Sequence, residues 1–554
     1  MERGVKMRKI IICFFMALLF LSGCGNKEEK RAGLELYFAI DSGNLQGVKD
    51  VLKDSEINLE KLPYKEFTNF REEESRALGY ALDSDSPKSA EIAKCLIDAG
   101  ADVESKGDEG ITYVGYESSV TDGEADKLKL LLEAGADPTV EDDNGYSAIE
   151  HSVSKMDDRL YEWKEIELLM DYGAQLTDKA LEVHIDNHGY LFGKKMVEDI
   201  KGRGKKTGLK KDVEYALCGE SEKLLEYLKH HKVSDKDVVL RYAAANCNVQ
   251  ALQQLKKAGC NLAKEEDTNI GWINPLYIAS RYNEDEKVVE YLLNEGVNPD
   301  MKGNDDEDFY RHNALTMAAI GGKERNIKIL RKWGVKWRRK ELDLGDTWVE
   351  VCREGTAKSV KVLLDAGFEP TAAEIMEGYG SANEETLEGL LQYQIPYNQE
   401  YMRDGESHTG FSEMCYMHPK QAFEIYKNEE NIKLTEVELE SIFLEYNEDF
   451  IRYLAEHEER QDGYFLKQAL KAAINNGDYE MVRYLVEKGA DLNTPVEDDK
   501  DDSYTVMHVA AQASSKTILN YLIEKGGDMN VKNSDGETPE EIKKMCDKQI
   551  EELV

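Results

Sequence analysis

Few side chains in this sequence have the spacing that an active site or a ligand site requires. His184 and His188 lie four residues apart and could share a helix face, but no third ligand for a metal ion is evident nearby. Residues 202–207 (GRGKKT) have the glycines of a phosphate-binding loop, yet Lys206 stands where such a loop needs Ser or Thr. The motifs of serine hydrolases and zinc proteases are absent. The sequence therefore predicts no enzyme, no cofactor and no metal site.

Cysteine chemistry is limited by position and number. Of the nine cysteines, Cys13 lies in an apolar run and Cys24 follows it, which leaves seven others. Seven is an odd number and no Cys-x-x-Cys pair occurs, so a disulfide framework of the usual kind is not predicted. Most of these thiols are expected to be small apolar core residues. A bridge between Cys247 and Cys260 is the alternative.

The amino terminus is organised like an export signal. Basic residues within 3–9 precede an apolar run at 10–21. This run is too short to cross about 30 Å of hydrocarbon, which needs about 20 residues. A charged region followed by a short apolar region is typical of a secretory signal peptide.

The apolar run ends in Leu21-Ser22-Gly23-Cys24, which resembles the lipobox of bacterial lipoproteins. The resemblance implies removal of the signal peptide (1–23), diacylglycerol on Cys24 and usually a further acyl chain on its new amino group. More than one acyl chain is needed for stable anchoring. We therefore expect a chain that is exported and lipid-anchored to the outer face of a bacterial membrane, with residues 24–33 as a tether.

The charge balance excludes one class of partner. The chain has 71 basic and 110 acidic residues, a formal net charge of −39. Such a surface repels phosphate backbones, so nucleic acid is not an expected partner.

A leucine followed four residues later by a glycine recurs along the chain. A glycine just after a helix adopts the left-handed conformation that ends the helix, and the leucine then lies on the last turn, facing the core. We predict units of a short helix, a tight turn, a longer helix and a loop. Two gaps between glycines, of 86 and 122 residues, are about two and three repeat lengths long, so degenerate units are expected inside them. The leucines are Leu96, Leu131, Leu169, Leu255, Leu292, Leu330, Leu363, Leu485 and Leu522.

These units resemble ankyrin repeats, which have a period of about 33 residues and begin Thr-Pro-Leu-His-x-Ala. Residues 274–279 (NPLYIA) and 505–511 (TVMHVAA) match this start in part, and 135–138 (GADP) and 489–493 (GADLN) match the family's ending. The resemblance implies an all-α solenoid of about 12 to 14 helical hairpins, joined by short β-hairpin loops. It also implies a structural hydrogen bond for His508.

The resemblance varies along the chain. Ankyrin repeats are predicted for residues 34–180, 236–370 and 464–554, the last with a polar terminal cap. Residues 181–235 and 371–463 are predicted to be degenerate repeats. The first of these contains a run of basic residues at 194–211, for which a flexible connector is the favoured interpretation. The alternatives are contact with anionic lipid, with a wall polymer or with the protein's own acidic surface.

Three aromatic residues are candidates for contact with a partner. Trp272 and Tyr504 stand just before first helices, where the family projects its loops. Trp337 lies near Trp333 in a basic island, and a tryptophan beside cations can anchor a partner. Packing of the tryptophans within the protein is an equally good interpretation of the same pattern.

The function predicted from these features is a membrane-anchored extracytoplasmic scaffold that binds another protein and catalyses no reaction. Two alternatives are kept. One is an enzyme or carbohydrate-binding protein with its site in the degenerate regions, and the other is a passive structural spacer. The identity of the partner is not predicted.

Overall fold

The computed structural model describes most of the chain after residue 26, in two compact units: residues 1–148 with 439–554, and residues 149–438. The predicted signal peptide and Cys24 lie outside the described residues. Among the residues described, no helix is both long enough and apolar enough to cross a membrane. The described ranges are 27–54, 57–62, 76–84, 86–120, 126–154, 163–186, 190, 192–268, 271–300, 312–339, 346–403, 406–429, 432–457, 463–496, 503–513 and 515–553.

The described residues form α-helices separated by short connections. The first are α1 (Lys27–Asp41), α2 (Leu45–Asp54), α3 (Ala77–Leu82), α4 (Ser89–Asp98), α5 (Tyr113–Glu117), α6 (Asp126–Glu133), α7 (Ala148–Ser154), α8 (Trp163–Asp171), α9 (Asp178–Asp186) and α10 (Gly193–Gly202). They continue as α11 (Lys211–Leu217), α12 (Ser221–Leu228), α13 (Lys236–Asn246), α14 (Val249–Lys257), α15 (Pro275–Tyr282), α16 (Glu286–Asn294), α17 (Ala314–Ile320), α18 (Glu324–Lys332), α19 (Thr347–Glu354), α20 (Ala357–Asp365), α21 (Ala372–Ser381) and α22 (Glu384–Gln392). The last are α23 (Gly410–Met417), α24 (Pro419–Asn428), α25 (Glu436–Leu444), α26 (Glu448–His457), α27 (Gly463–Asn475), α28 (Tyr479–Glu487), α29 (Val506–Gln512), α30 (Lys516–Glu524) and α31 (Pro539–Leu553).

Two antiparallel β-hairpins lie between helix pairs. In the first, β1 (Glu266–Thr268) pairs with β2 (Gly271–Ile273), and in the second, β3 (Tyr401–Arg403) pairs with β4 (Glu406–His408). Each hairpin leads into a first helix, α15 or α23. These hairpins are the short inter-repeat loops that the sequence predicted.

The predicted fold class, an all-α array of helical repeats, is confirmed. The 31 described helices form fifteen consecutive pairs and a final helix, slightly more than the expected 12 to 14 units. The difference arises in the long gaps between glycines. Three pairs (α9 to α14) fill the gap of 86 residues and four pairs (α21 to α28) fill the gap of 122, because the degenerate units are shorter than the family period.

All nine leucine–glycine steps lie at the ends of second helices. Every one of the nine leucines is fully buried, with 0% of its surface exposed. Each glycine has a positive φ, between 80° and 105°. The N–H group of the following residue donates to the carbonyl of the leucine over 2.9 to 3.3 Å. This six-residue closure is the Schellman motif, which satisfies a carbonyl that the helix end leaves without a partner.

Some of the degenerate units keep this turn with other residues. Gln394 takes the glycine position after α22 with a φ of 56°, and the N–H of Ile395 donates to the carbonyl of Leu390 over 3.0 Å. After α10, Gly204 has a φ of 74° and Lys205 donates to Ile200 over 3.1 Å. The left-handed turn therefore occurs in more repeats than the leucine–glycine pattern does. Gln can adopt the left-handed conformation, although this costs energy.

Asparagine side chains join the two ends of single repeats in the second unit. The Oδ1 atoms of Asn274 and Asn313 accept from the third N–H of α15 and α17 over 2.9 Å. Their Nδ2 atoms donate over 2.9 Å to the carbonyls of Asn298 and Lys336, which lie in the loops that follow the next helices. One side chain thus caps a helix and fixes the loop at the far end of the same repeat.

In the first unit, the earliest helices pack against the last ones. Helix α1 packs against α31, and α2 packs against α30. The carboxylate of Asp50 in α2 is buried and accepts from the hydroxyls of Ser515 and Thr517 over 2.9 and 2.6 Å, and from the N–H of Thr517 over 3.0 Å. These contacts join residues that are more than 460 positions apart. No sequence pattern predicted this contact.

A second set of contacts joins the same two parts of the first unit. The N–H of Gln46 donates to the carbonyl of Gly477 over 2.9 Å. Lys88 is 4% exposed; its ammonium group donates to Glu448 and lies 3.7 Å from Asp478. Burial alone would lower the pKa of Lys88, but the hydrogen bonds to Glu448 and Glu91 outweigh it and raise the pKa. Lys88 is therefore charged at neutral pH. It joins the beginning of α4 to the beginnings of α26 and α28.

We expect Asp50→Asn to loosen the contact between α2 and α30. The amide presents donors to the groups that now donate to the carboxylate, and an unsatisfied buried polar group costs about 1 to 3 kcal/mol. Amide hydrogen exchange should become faster in α2 and α30, and the urea midpoint of the first unit should fall. The exposed Asp54 of the same helix gives the control Asp54→Asn, which should change neither quantity. Equal effects of the two substitutions would contradict this role of Asp50.

Candidate protein-binding surface

Trp272 lies in the first β-hairpin. Its backbone is in β2, opposite Asp267, two residues before the cap of α15. This position agrees with the expectation that the residue precedes a first helix in a projecting loop. Its side chain lies outside the described residues.

Trp337 is half-buried in the loop after α18. Its ring meets the edge of Phe368 with centroids 5.8 Å apart, and the guanidinium of Arg331 lies 5.4 Å from the ring centre. Among the described residues, its buried Nε1 atom has no hydrogen-bond partner. Trp333, at the end of α18, is 48% exposed. Trp337 therefore packs within the protein, and Trp333 is the tryptophan of this island that is free to meet a partner.

Two cations of this island, Arg338 and Arg339, are paired within the protein. Arg338 lies 2.5 Å from Asp300, and Arg339 lies 3.2 Å from Glu374 and 4.1 Å above the ring of Phe368. These contacts order the loop around Trp337. They leave less free positive charge on this surface than the sequence alone indicates.

Tyr504 is half-buried, directly before the cap of α29. Its ring lies 5.2 Å from that of His508, and its carbonyl accepts from the N–H of Val496 over 2.7 Å. His508 is fully buried: Nδ1 accepts from the N–H of Thr505 over 3.1 Å, and Nε2 lies 3.2 Å from the carbonyl of Glu537. This pattern fits a neutral imidazole with its proton on Nε2. The structural role expected of His508 is confirmed.

The second hairpin contains an exposed apolar residue that the sequence analysis missed. Met402 in β3 is 62% exposed, the largest exposure among the large apolar side chains of the described residues. Its neighbour Arg403 lies 3.5 Å from Glu377 of α21, which ties the hairpin to the repeat. A lone methionine in a short strand has no periodic pattern, so nothing in the sequence marked it. Among the described residues of the second unit, it is the most exposed large apolar side chain.

The candidate residues do not form one cluster within a unit. Trp272, Trp337 and Met402 belong to the second unit, whereas Tyr504 belongs to the first. They share a structural position, since each lies in or beside the connection between one repeat and the next. The candidate surface is therefore a series of loops rather than a pocket.

Several basic residues of 194–211 contact acidic side chains of the protein. The favoured interpretation of this run as a flexible connector was wrong for its first half, which forms the regular helix α10. Lys201 lies 2.7 Å from Glu214, Arg203 lies 2.6 Å from Asp199, and Lys195 lies 3.0 Å from Glu167. Of the alternatives for this run, contact with the protein's own acidic groups is the one that these distances describe.

Glu214 lies at the centre of these contacts. Its side chain is 3% exposed and accepts from Lys201 over 2.7 Å and from the hydroxyl of Thr207 over 2.6 Å. Burial alone would raise the pKa of Glu214, but the hydrogen bonds from Lys201 and Thr207 outweigh it and lower the pKa. The charged form therefore stabilises the fold at neutral pH.

The seven described cysteines are free thiols. Cys247, Cys260, Cys352 and Cys415 are buried, as expected of core residues. Cys247 and Cys260 do not form the disulfide that was the alternative prediction. Burial raises the pKa of Cys247 to about 12, so this thiol stays protonated and unreactive near neutral pH.

Two segments of the chain match ankyrin-repeat families. Residues 470–523 match the family of ankyrin repeats in many copies, and residues 273–304 match the single ankyrin repeat. The first match runs from α27 into α30, and the second covers α15 and α16. No curated protein matches the chain. Ankyrin-repeat proteins are generally non-enzymatic binding scaffolds, so the matches suggest a protein–protein interaction scaffold.

We expect the Glu214 contacts to make the second unit sensitive to acid. Because the pKa of Glu214 is lowered by folding, its contribution is complete above about pH 4.5 and is lost as the pH falls through the lowered value. Glu214→Gln should therefore destabilise the unit at pH 7 and flatten its loss of stability on acidification. Urea unfolding from pH 7 to pH 3 measures both effects. The control is Glu222→Gln, at an exposed carboxylate of α12, and identical pH profiles for the two variants would refute this role of Glu214.

Proposed function

We propose that this protein is a lipid-anchored, extracytoplasmic scaffold that binds another protein through the loops between its repeats. The observation that carries the binding role is the exposure of Met402. This side chain lies in the hairpin β3–β4, in the connection between two repeats, and is 62% exposed. Methionine and aromatic residues are enriched in the cores of protein interfaces. Trp333 is a second such residue, at the end of α18.

The charge of the protein indicates the character of the partner. A net charge of −39 gives a surface that attracts cationic proteins and steers their approach. Electrostatic complementarity of this kind raises association rates and rejects acidic competitors. We therefore propose a partner with a basic contact surface.

Anchoring rests on Cys24 and the segment before it. The sequence Leu21-Ser22-Gly23-Cys24 supports acylation of this cysteine. Helix α1 begins at Lys27, within the segment assigned to the tether, and its residues Leu34 and Leu36 are buried. A tether this short would hold the first repeats close to the lipid surface.

The described parts of the degenerate regions favour the scaffold over a hidden enzyme domain. Residues 181–235 and 371–463 fold into helix pairs of the same kind as the clear repeats. An enzyme or carbohydrate-binding function in these regions would be favoured by a compact non-repeat domain. A passive structural spacer would need no specific contact at the loops, whereas a binding scaffold needs one.

A pair of methionines in one repeat gives a matched test of the binding role. Met402 in the hairpin and Met417 at the other end of α23 are 62% and 50% exposed. With a photo-crosslinking amino acid at position 402 in full-length protein in bacterial cells, we expect a discrete protein adduct that saturates. Position 417 should give none. Once the partner is identified, Met402→Asp should weaken its binding at least tenfold and Met417→Asp should leave it unchanged.

The same cells test the anchor. We expect Cys24→Ala to remain unprocessed and to lack incorporated fatty acid, which metabolic labelling measures. Equal crosslinking from positions 402 and 417, or from neither, would contradict the binding role. Unchanged labelling of the Cys24→Ala variant would contradict the lipid anchor.

A further inference from the structure

We propose that His312, Glu350 and Glu354 bind a divalent transition-metal ion in the second unit. One possible ligand atom from each side chain lies within 4.8 Å of the others. This site is independent of the proposed binding function. It differs from the sequence analysis, which predicted no metal site.

His312 is a buried imidazole that lacks a hydrogen bond. It precedes Asn313, the cap of α17, and its side chain is 6% exposed. Its Nδ1 atom is buried and has no partner among the described residues. Its Nε2 atom lies 3.9 Å from Oε2 of Glu350, beyond hydrogen-bond distance. A buried polar group without a partner is costly, so this imidazole is suited to an external ligand.

The two carboxylates come from one face of the next first helix. Glu350 and Glu354 are four residues apart in α19, and the side chain of Glu350 is 0% exposed. Arg353 donates to Oε1 of Glu350 over 3.0 Å, whereas Oε2 of the same carboxylate is the oxygen near His312. Arg281 donates to Oε2 of Glu354 over 2.8 Å. Outer donors of this kind fix the orientation of carboxylates that ligate a metal.

The spacing of these groups suits a metal ion better than a direct ion pair. A charge-assisted hydrogen bond between an imidazolium and a carboxylate is about 2.7 to 2.9 Å long, well below the 3.9 Å found here. Two ligand atoms bound to one zinc ion at about 2.1 Å in tetrahedral geometry lie about 3.4 Å apart. The His312–Glu350 pair therefore needs to close by about 0.5 Å around an ion, and no pair of the site, all within 4.8 Å, needs to close by more than about 1.4 Å.

The donors select the class of ion. One imidazole nitrogen with two carboxylate oxygens is a set that Zn²⁺ accepts, whereas Mg²⁺ and Ca²⁺ prefer sites made of oxygen alone. Three protein ligands leave a fourth position of a tetrahedral ion open. We infer a site of the Zn²⁺ class that could hold a water molecule or a group of a bound partner.

The repeat register explains how distant residues meet here. His312 and Glu350 are 38 positions apart, about one repeat length. One stands just before a first helix, and the other lies within the next first helix. Stacking of successive repeats brings these positions together. No local spacing in the sequence marks such a site, because its members come from two successive repeats.

Metal binding to the full chain tests the proposal directly. Protein purified in detergent and stripped with a chelator would be titrated with Zn²⁺ by calorimetry, with bound metal measured by mass spectrometry. We expect one site that His312→Ala and Glu354→Gln each weaken at least tenfold and that excess Mg²⁺ does not block. His231→Ala, at an exposed histidine of the same unit, is the matched control and should keep the site.

Two further measurements keep the proposal open to refutation if a variant folds poorly. Zn²⁺ should raise the thermal midpoint of the wild-type second unit, and X-ray absorption of the bound zinc should show nitrogen and oxygen ligands only. Absence of a stoichiometric site, unchanged Zn²⁺ affinity in His312→Ala, or sulfur in the zinc coordination shell would each overturn the assignment.

Discussion

Each repeat of this protein consists of two short helices that are too thin to bury an apolar core by themselves. The structure meets this constraint by stacking the pairs, so that the leucine on the last turn of each second helix is covered by neighbouring repeats. Burying one such side chain contributes about 1.5 to 3 kcal/mol relative to exposing it. The left-handed turn after the leucine then reverses the chain and fixes where the next connection begins. The turn therefore determines where the hairpins, the helix caps and the candidate contact residues lie.

The first unit adds a second constraint, because it joins segments from the two ends of the chain. A terminal repeat normally exposes one face, which a polar cap must cover. Here α1 and α2 lie against α31 and α30, with a buried polar contact at Asp50, and Lys88 before α4 contacts Glu448 of α26 and Asp478 before α28. Helix α31 is polar over much of its length, as the sequence predicted for a cap, yet its Ile542 is only 1% exposed. The early and late repeats of this unit therefore stabilise each other.

Much of the fold could be predicted, because its main signals are local. A leucine, three residues and a glycine suffice to place the end of a second helix, and His508 could be assigned from the residues beside it. The turn at Gln394 escaped detection, since a polar residue there takes a conformation that only glycine adopts easily. That loss of signal explains the low count of repeats in the degenerate regions.

Features that depend on contacts between repeats could not be predicted. Asp50 meets Ser515, and His312 meets Glu350, only through the register of stacked helices. The exposure of Met402 depends on the hairpin that carries it, and the burial of Trp337 depends on Phe368. Residue type alone did not distinguish the exposed Trp333 from its packed neighbour Trp337. Contact surfaces of repeat proteins therefore require the three-dimensional register before single residues can be chosen.

The central claim is that the left-handed turns close the second helices while their leucines are buried. Native-state hydrogen exchange of the residue after each glycine tests it most directly, because each of these amides donates to the carbonyl of the buried leucine. The account predicts that the amides of residues such as Ala136, Val297 and Ala490 are protected to a similar degree as the helices that precede them. Exchange of these amides at the rate of an unstructured chain, with the helices still protected, would contradict it.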